Sequence, residues 1–231
     1  MRTKTHLPIR NKPALAALIA LTLAGSGHAL AAPLGITSYS DYQTAIAGLG
    51  SETVQGFDGT AANTTLADGD SLGAVTFSAF DLGGADLQVA DRQDQTTSNN
   101  NALESSFGAF VGLDGFTPTL DQPVTALGLF AITGDILSNG DLTLTIDQGS
   151  VALAVADVIT GQALEDDFDF ASGTGTNLYF LGLVSDTPFS SATLTSADAT
   201  FSFSLDDLRW SLPKADVPLP PTALLLLAGL P

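Results

Sequence analysis

The chain has no cysteine, and its only two histidines, His6 and His28, stand near the start of its 231 residues. Without thiols no disulfide can brace the fold and no thiolate can serve as nucleophile. A body without histidine also lacks the usual base of Ser-His-Asp and Cys-His arrangements and the imidazole ligands of most zinc sites. Basic residues are scarce too, seven Lys and Arg against 25 Asp and Glu. Binding to nucleic acid needs clustered Lys and Arg to neutralise phosphates, so that class of partner is excluded. There is no glycine-rich phosphate loop with its lysine. Side chains able to stack on a sugar are few, namely Tyr39, Tyr42, Tyr179 and Trp210.

What is present begins with an end segment. "MRTKTHLPIRNK" carries four basic residues and no acid, "ALAALIALTLAG" is apolar, and "SGHALAA" supplies small residues, with Ala29 and Ala31 flanking Leu30. That order is a signal peptide over residues 1–31, with cleavage expected after Ala31. The apolar run is short for a membrane anchor. Cleavage removes both histidines and leaves Arg92, Arg209 and Lys214 against all 25 acids. So acidic a chain can attract hard cations, chiefly calcium, through oxygen ligands. The same charge also serves solubility alone.

Residues 32–212 read as one all-β domain, a two-sheet antiparallel β-sandwich with one short N-terminal helix. In "SDYQTAIAGLG", Ser40 can cap a helix, Tyr42, Ala45, Ile46 and Leu49 share a face, and Gly50 stops it. Beyond it the period is two: Leu142, Leu144 and Ile146 alternate with threonines, Val151, Leu153 and Val155 with alanines, and Phe201, Phe203 and Leu205 with serines. About ten such segments alternate with turn signals such as "SNGD" and "SGTGTN". Residues 91–106, polar and asparagine-rich, read as a long surface loop. The alternation breaks after Leu205, which predicts a bulge near Asp206 and Asp207. Of Tyr179 and Phe180, neighbours in a strand, one is expected to face out.

Residues 213–221 form a Pro-rich linker, and "TALLLLAGLP" at 222–231 is apolar. As a helix those ten residues cover about 15 Å, half a hydrocarbon core, so they cannot span a membrane. "VPLPPTALLLLAGL" closely resembles the start of the PEP-CTERM class of sorting signals in its VPLPA-type variant. The resemblance implies export, transient membrane contact through the tail, and processing by an exosortase, a membrane cysteine protease. Val217, Pro218, Leu219 and Pro220 would be the recognition motif. The second half of the helix and its arginine cluster do not follow, so the tail reads as truncated. The resemblance further implies the outer envelope or extracellular matrix of a Gram-negative bacterium, with exopolysaccharide as partner.

Phrases of the body, "GFDGT", "VTALGLFAI" and "FSFSLDDLRW", resemble the same class. The closing "LDDL" also resembles the end of jelly-roll carbohydrate-binding modules, whose last strand gives an Asp to a structural calcium, and so implies that the β-sandwich is of jelly-roll type. That resemblance implies a Ca2+ clip made by Asp58, Asp206 and Asp207, with Asp206 favoured over Asp207. The alternative is that the two neighbours cap a strand end or pair with Arg209 or Arg92. In "LEDDFDF", Glu165, Asp166, Asp167 and Asp169 crowd one stretch; a solvated acidic loop fits better than a pair of glycosidase carboxyls set across a cleft. The expected function is therefore a non-enzymatic exported matrix protein. A specific carbohydrate-binding module and a hydrolase acting through Asp and Glu alone are the alternatives.

Overall fold

The computed structural model describes residues 32–92, 97, 101–152, 177–197 and 200–214. Ala29 and Ala31, the acids of "LEDDFDF", and the motif Val217, Pro218, Leu219 and Pro220 lie outside the described residues.

Two long strands organise the domain. β9 (Gly115–Thr133) and β12 (Asn177–Ser191) pair antiparallel through Asn177↔Thr133 to Val184↔Ala126. β9 is exposed at Asp121, Gln122 and Pro123 and changes partners there; proline has no N–H to give a ladder and is tolerated where pairing is interrupted. Before these residues β9 pairs with β5 (Val75–Asp81) and β13 (Thr193–Ser196). After them, β9 lies between β12 and β14 (Ser202–Ser211). One long strand thus serves both layers of an antiparallel, sandwich-like all-β fold.

The first layer continues from β13 to β10 (Leu142–Ile146) and β11 (Gly149–Ala152). The second continues from β14 to β7 (Asn101–Ser105), β6 (Leu87–Asp91) and β3 (Thr64–Leu66). β2 (Glu52–Gln55) and β8 (Phe110–Val111) pair with the two ends of β14. The main core lies between the layers and holds the alternating residues read from sequence: Leu142, Leu144, Ile146, Phe201, Phe203 and Leu205.

A second, smaller core lies outside. The helix α1 (Tyr39–Ile46) packs Tyr39, Tyr42 and Ile46 on Ala126, Phe130, Ile132, Leu178 and Phe180. Its N-cap is Ser38, in extended conformation, whose hydroxyl accepts the Asp41 N–H, and not Ser40, which lies inside the first turn. Because α1 covers the outer face, both faces of β9 and β12 are buried. That explains the unbroken apolar runs of "VTALGLFAIT" and "NLYFLGLV". Tyr179 joins the main core and Phe180 the outer one, so neither faces out.

The expected loop at 91–106 contains a strand. Asn101–Ser105 is β7, wholly buried and paired with β6 from Leu87↔Ser105 to Asp91↔Asn101. Its polarity hid it: Glu104 is buried with its oxygens partnered, by Arg92 Nε to Oε1 at 2.5 Å and Nη2 to Oε2 at 2.9 Å and by the Ser204 hydroxyl on Oε1.

Gly128 and Gly182 face each other across the β9–β12 ladder, and a Cβ on Gly182 would lie 2.7 Å from the Tyr42 ring and 2.8 Å from Phe180. The trench under Tyr42 therefore depends on their lacking side chains. Gly182→Val is expected to cost about 1–3 kcal/mol by overpacking, read as a lowered urea midpoint. Gly59→Ala, where a Cβ meets nothing within 4 Å, is the control and should be neutral.

Candidate functional site

The expected bulge is present. The β14–β9 register shifts between Asp206 and Arg209, and Asp207 takes a left-handed φ of 46°. The extra residue resets the alternation, so Leu208 and Trp210 return to the main core. Asp206, Asp207 and Arg209 are all buried.

Arg209 ties several elements together. Its Nη1 donates to the Tyr39 hydroxyl at 2.7 Å and its Nη2 to Asp207 Oδ2 at 3.0 Å. Glu52 Oε2 of β2 lies 3.6 Å from Nη1. The guanidinium sits over the rings of Tyr39 and Phe130, at 5.0 and 5.7 Å from their centroids. The Tyr42 hydroxyl donates to the Arg209 carbonyl.

Asp206 Oδ2 accepts the Thr97 N–H at 2.7 Å, and Oδ1 accepts the Asp207 N–H at 2.8 Å. The Thr97 hydroxyl lies 2.7 Å from Asp206 Oδ2 and 2.8 Å from Asp207 Oδ2. It has one hydrogen to give, so one of these contacts needs a proton on a carboxyl. Asp207 is the partner of Arg209, which leaves Asp206 as the acid. Burial, and next the charge of Asp207, push Asp206 up to about 8.

Asp58 is exposed, and its Oδ1 accepts the Asn101 N–H at 2.9 Å, while Asn101 Nδ2 reaches the Thr60 carbonyl. It anchors the start of β7. Among the described residues, no group of three or more His, Cys, Asp or Glu is gathered to hold a metal. Calcium takes six to eight oxygen ligands. Here backbone N–H groups point at both oxygens of Asp206, and a guanidinium already neutralises Asp207. These residues do not fit the calcium clip; the alternative pairing of Asp207 with Arg209 is what forms.

Sequence reasoning found the bulge and Arg209 but missed Thr97 and Glu104, whose roles arise from contacts across the sheet. As chemistry, a neutral carboxyl beside a carboxylate is an acid–base pair. Asp206 and Asp207 are only 1% and 3% exposed, so neither is open to a glycosidic oxygen. The tyrosines and the tryptophan are closed off as well: Tyr39, Tyr42, Tyr179 and Trp210 are all buried. No helix among the described residues is long and apolar enough to cross a membrane.

No family model and no curated protein matches the chain. Among solved structures it is similar to the catalytic domain of GH87 alpha-1,3-glucanase in complex with nigerose, at 15% identity and a TM-score of 0.31. It is similar also to a substituted form of that domain in complex with tetrasaccharides, at 17% identity and a TM-score of 0.30. Each match covers 76% of this chain and 31% of the other, so the chain spans under a third of the glucanase domain. At that distance the likeness decides nothing about function.

A carboxyl whose folded value is raised keeps in the native state a proton that the unfolded chain has lost. The stability it contributes is full below about pH 4, the unfolded aspartate value, and is lost as pH rises to about 8. Asp206→Asn is expected to flatten that segment of the urea midpoint against pH, and parallel curves for variant and parent would contradict the proton count. Melting should be the same in EGTA and in millimolar calcium; a rise of several degrees with calcium would restore the clip.

Proposed function

We propose that this chain is an exported, non-enzymatic protein of the outer envelope or extracellular matrix of a Gram-negative bacterium. It is sorted through an exosortase and associates with exopolysaccharide. The sorting rests on the sequence: a signal peptide ending at Ala31 and the motif Val217, Pro218, Leu219 and Pro220. The non-enzymatic part is supported by one structural observation: Asp206 and Asp207, neighbouring carboxyls among the described residues, are both buried. A hydrolase of the Asp and Glu kind needs two carboxyls facing a bond across a cleft. The acidity of the chain keeps an exported protein soluble and repels anionic surfaces.

The test is expression of the chain, its tail completed by a second apolar half-helix and an arginine cluster, in a bacterium with an exosortase, followed by fractionation of cells and matrix. The chain is expected in the matrix fraction, sedimenting with secreted polysaccharide. Replacing Pro218 and Pro220 by alanine should hold the precursor in the cell fraction. Arrival in the matrix with the motif destroyed would remove the sorting claim, and a matrix fraction free of polymer-bound protein would remove the partner.

A further inference from the structure

A cavity of about 130 Å3 opens where β14 begins, with Arg92, Ala109, Thr133, Gly134, Ser202 and Ser204 in its lining. That is below the range of about 300–1,000 Å3 typical of drug-sized ligands, and it suits one ring-sized group. Its polar groups are fixed before any ligand arrives. Arg92 grips Glu104 by Nε and Nη2, and the Ser204 hydroxyl donates to Glu104 Oε1. Thr133 Oγ1 donates to the Ser202 carbonyl at 2.6 Å and accepts the Asp135 N–H at 3.0 Å.

In the Arg92–Glu104 pair the guanidinium is open, with 37% of its side chain exposed, while Glu104, at 2%, is closed off and serves to hold it. A guanidinium has five N–H donors, and Glu104 takes two of Arg92's. Hydroxyl oxygens, which accept hydrogen bonds, match the N–H donors that remain. The pair carries no net charge, and Asp135 adds an acid nearby, since its Oδ2 accepts the Ser202 N–H. Nothing here offers excess positive charge to a uronate or phosphate.

The second observation is apolar. Six large apolar side chains are exposed among the described residues, and Phe107, Val111, Leu113 and Ile136 are four of them. Phe107 stands two positions before Ala109, Val111 pairs with Ser202 across the β14–β8 ladder, and Ile136 stands two positions after Gly134. Three of the six, Phe107, Val111 and Ile136, thus stand within two positions of a lining residue or pair with one. Phe107, 80% exposed, sits on a built turn. Its N–H reaches Ser105 Oγ, Ser105 Oγ donates to the Gly108 carbonyl, and Gly108 has a φ of 121° that favours glycine.

We propose that this cavity and Phe107 form a binding site for one neutral hexopyranose unit of a polysaccharide. The ring's C–H face stacks on Phe107, and its hydroxyl oxygens accept from Arg92, which Glu104 holds in place. The site rests on the polysaccharide reading above and gives it a place and a ligand class.

The test applies the full chain, and Phe107→Ala, Ala109→Trp and Phe107→Trp variants of it, to an array of neutral and uronate-containing oligosaccharides. Binding to neutral members is expected, falling about tenfold or more in Phe107→Ala and Ala109→Trp and kept in Phe107→Trp, with unchanged melting. Equal binding by all variants would overturn the site and leave the polysaccharide reading standing. So would an array that stays blank while the chain still sediments with polymer. A preference for uronates would overturn the ligand class. A blank array with no sedimentation would remove both.

Discussion

The guanidinium of Arg209 is the only basic side chain buried among the described residues, and much of the fold is arranged around it. It reaches α1 through Tyr39, β2 through Glu52 and its own strand through Asp207. Asp207 in turn shares the Thr97 hydroxyl with Asp206, which carries the tie to the chain between β6 and β7. A chain with no disulfide holds these segments by burial and by this one charge. Removing either partner of such a buried pair strands the other in a poorly solvating interior, which is why the pair constrains the structure more than its net contribution to stability implies.

The second constraint is steric and acts on the same place. α1 lies close to the sheet because Gly128 and Gly182 leave room for Tyr42, and the Tyr42 hydroxyl ends at the Arg209 carbonyl. Burial, and next the charge of Glu52, push the Tyr42 phenol well above its ordinary range, so it stays a neutral donor. The helix then makes β9 and β12 interior on both faces. Below it, the polar side of β14 has partners instead of water: Ser204 on Glu104, Asp206 on Thr97, Arg209 on Tyr39. The apolar and polar halves of this outer face are thus set by one short helix and one bulged strand.

How much of this was legible in the sequence depends on whether a face was exposed. Period-two alternation gave β10 and the inward residues of β14 directly, since one side of each strand is wetter than the other. It could not assign Tyr179 and Phe180 to sides, because the main core buries Tyr179 and α1 buries Phe180, and only the tertiary fold brings α1 there. β7 escaped because asparagine, glutamate and serine dominate it; their burial is offset by Arg92, Asp58 and Thr60, contacts invisible to local pattern. The bulge was legible as a break in alternation. The pairing of Asp207 with Arg209 was one of two readings, and the calcium reading came from likeness to other proteins, not from the donors this fold supplies. Arg92 and Glu104, 12 positions apart, and the exposed Phe107 become a candidate surface only when β6, β7 and β14 lie side by side.

The most direct measurement is a double-mutant cycle on Arg209→Met and Asp207→Asn by urea denaturation. If the buried pair organises the outer face, Arg209→Met alone loses about 3–5 kcal/mol. The double variant then loses clearly less than the two singles summed, a coupling of about 1 kcal/mol or more. If Arg209→Met loses under about 1 kcal/mol and the two changes simply add, the guanidinium is a bystander and the fold is held by its two cores alone.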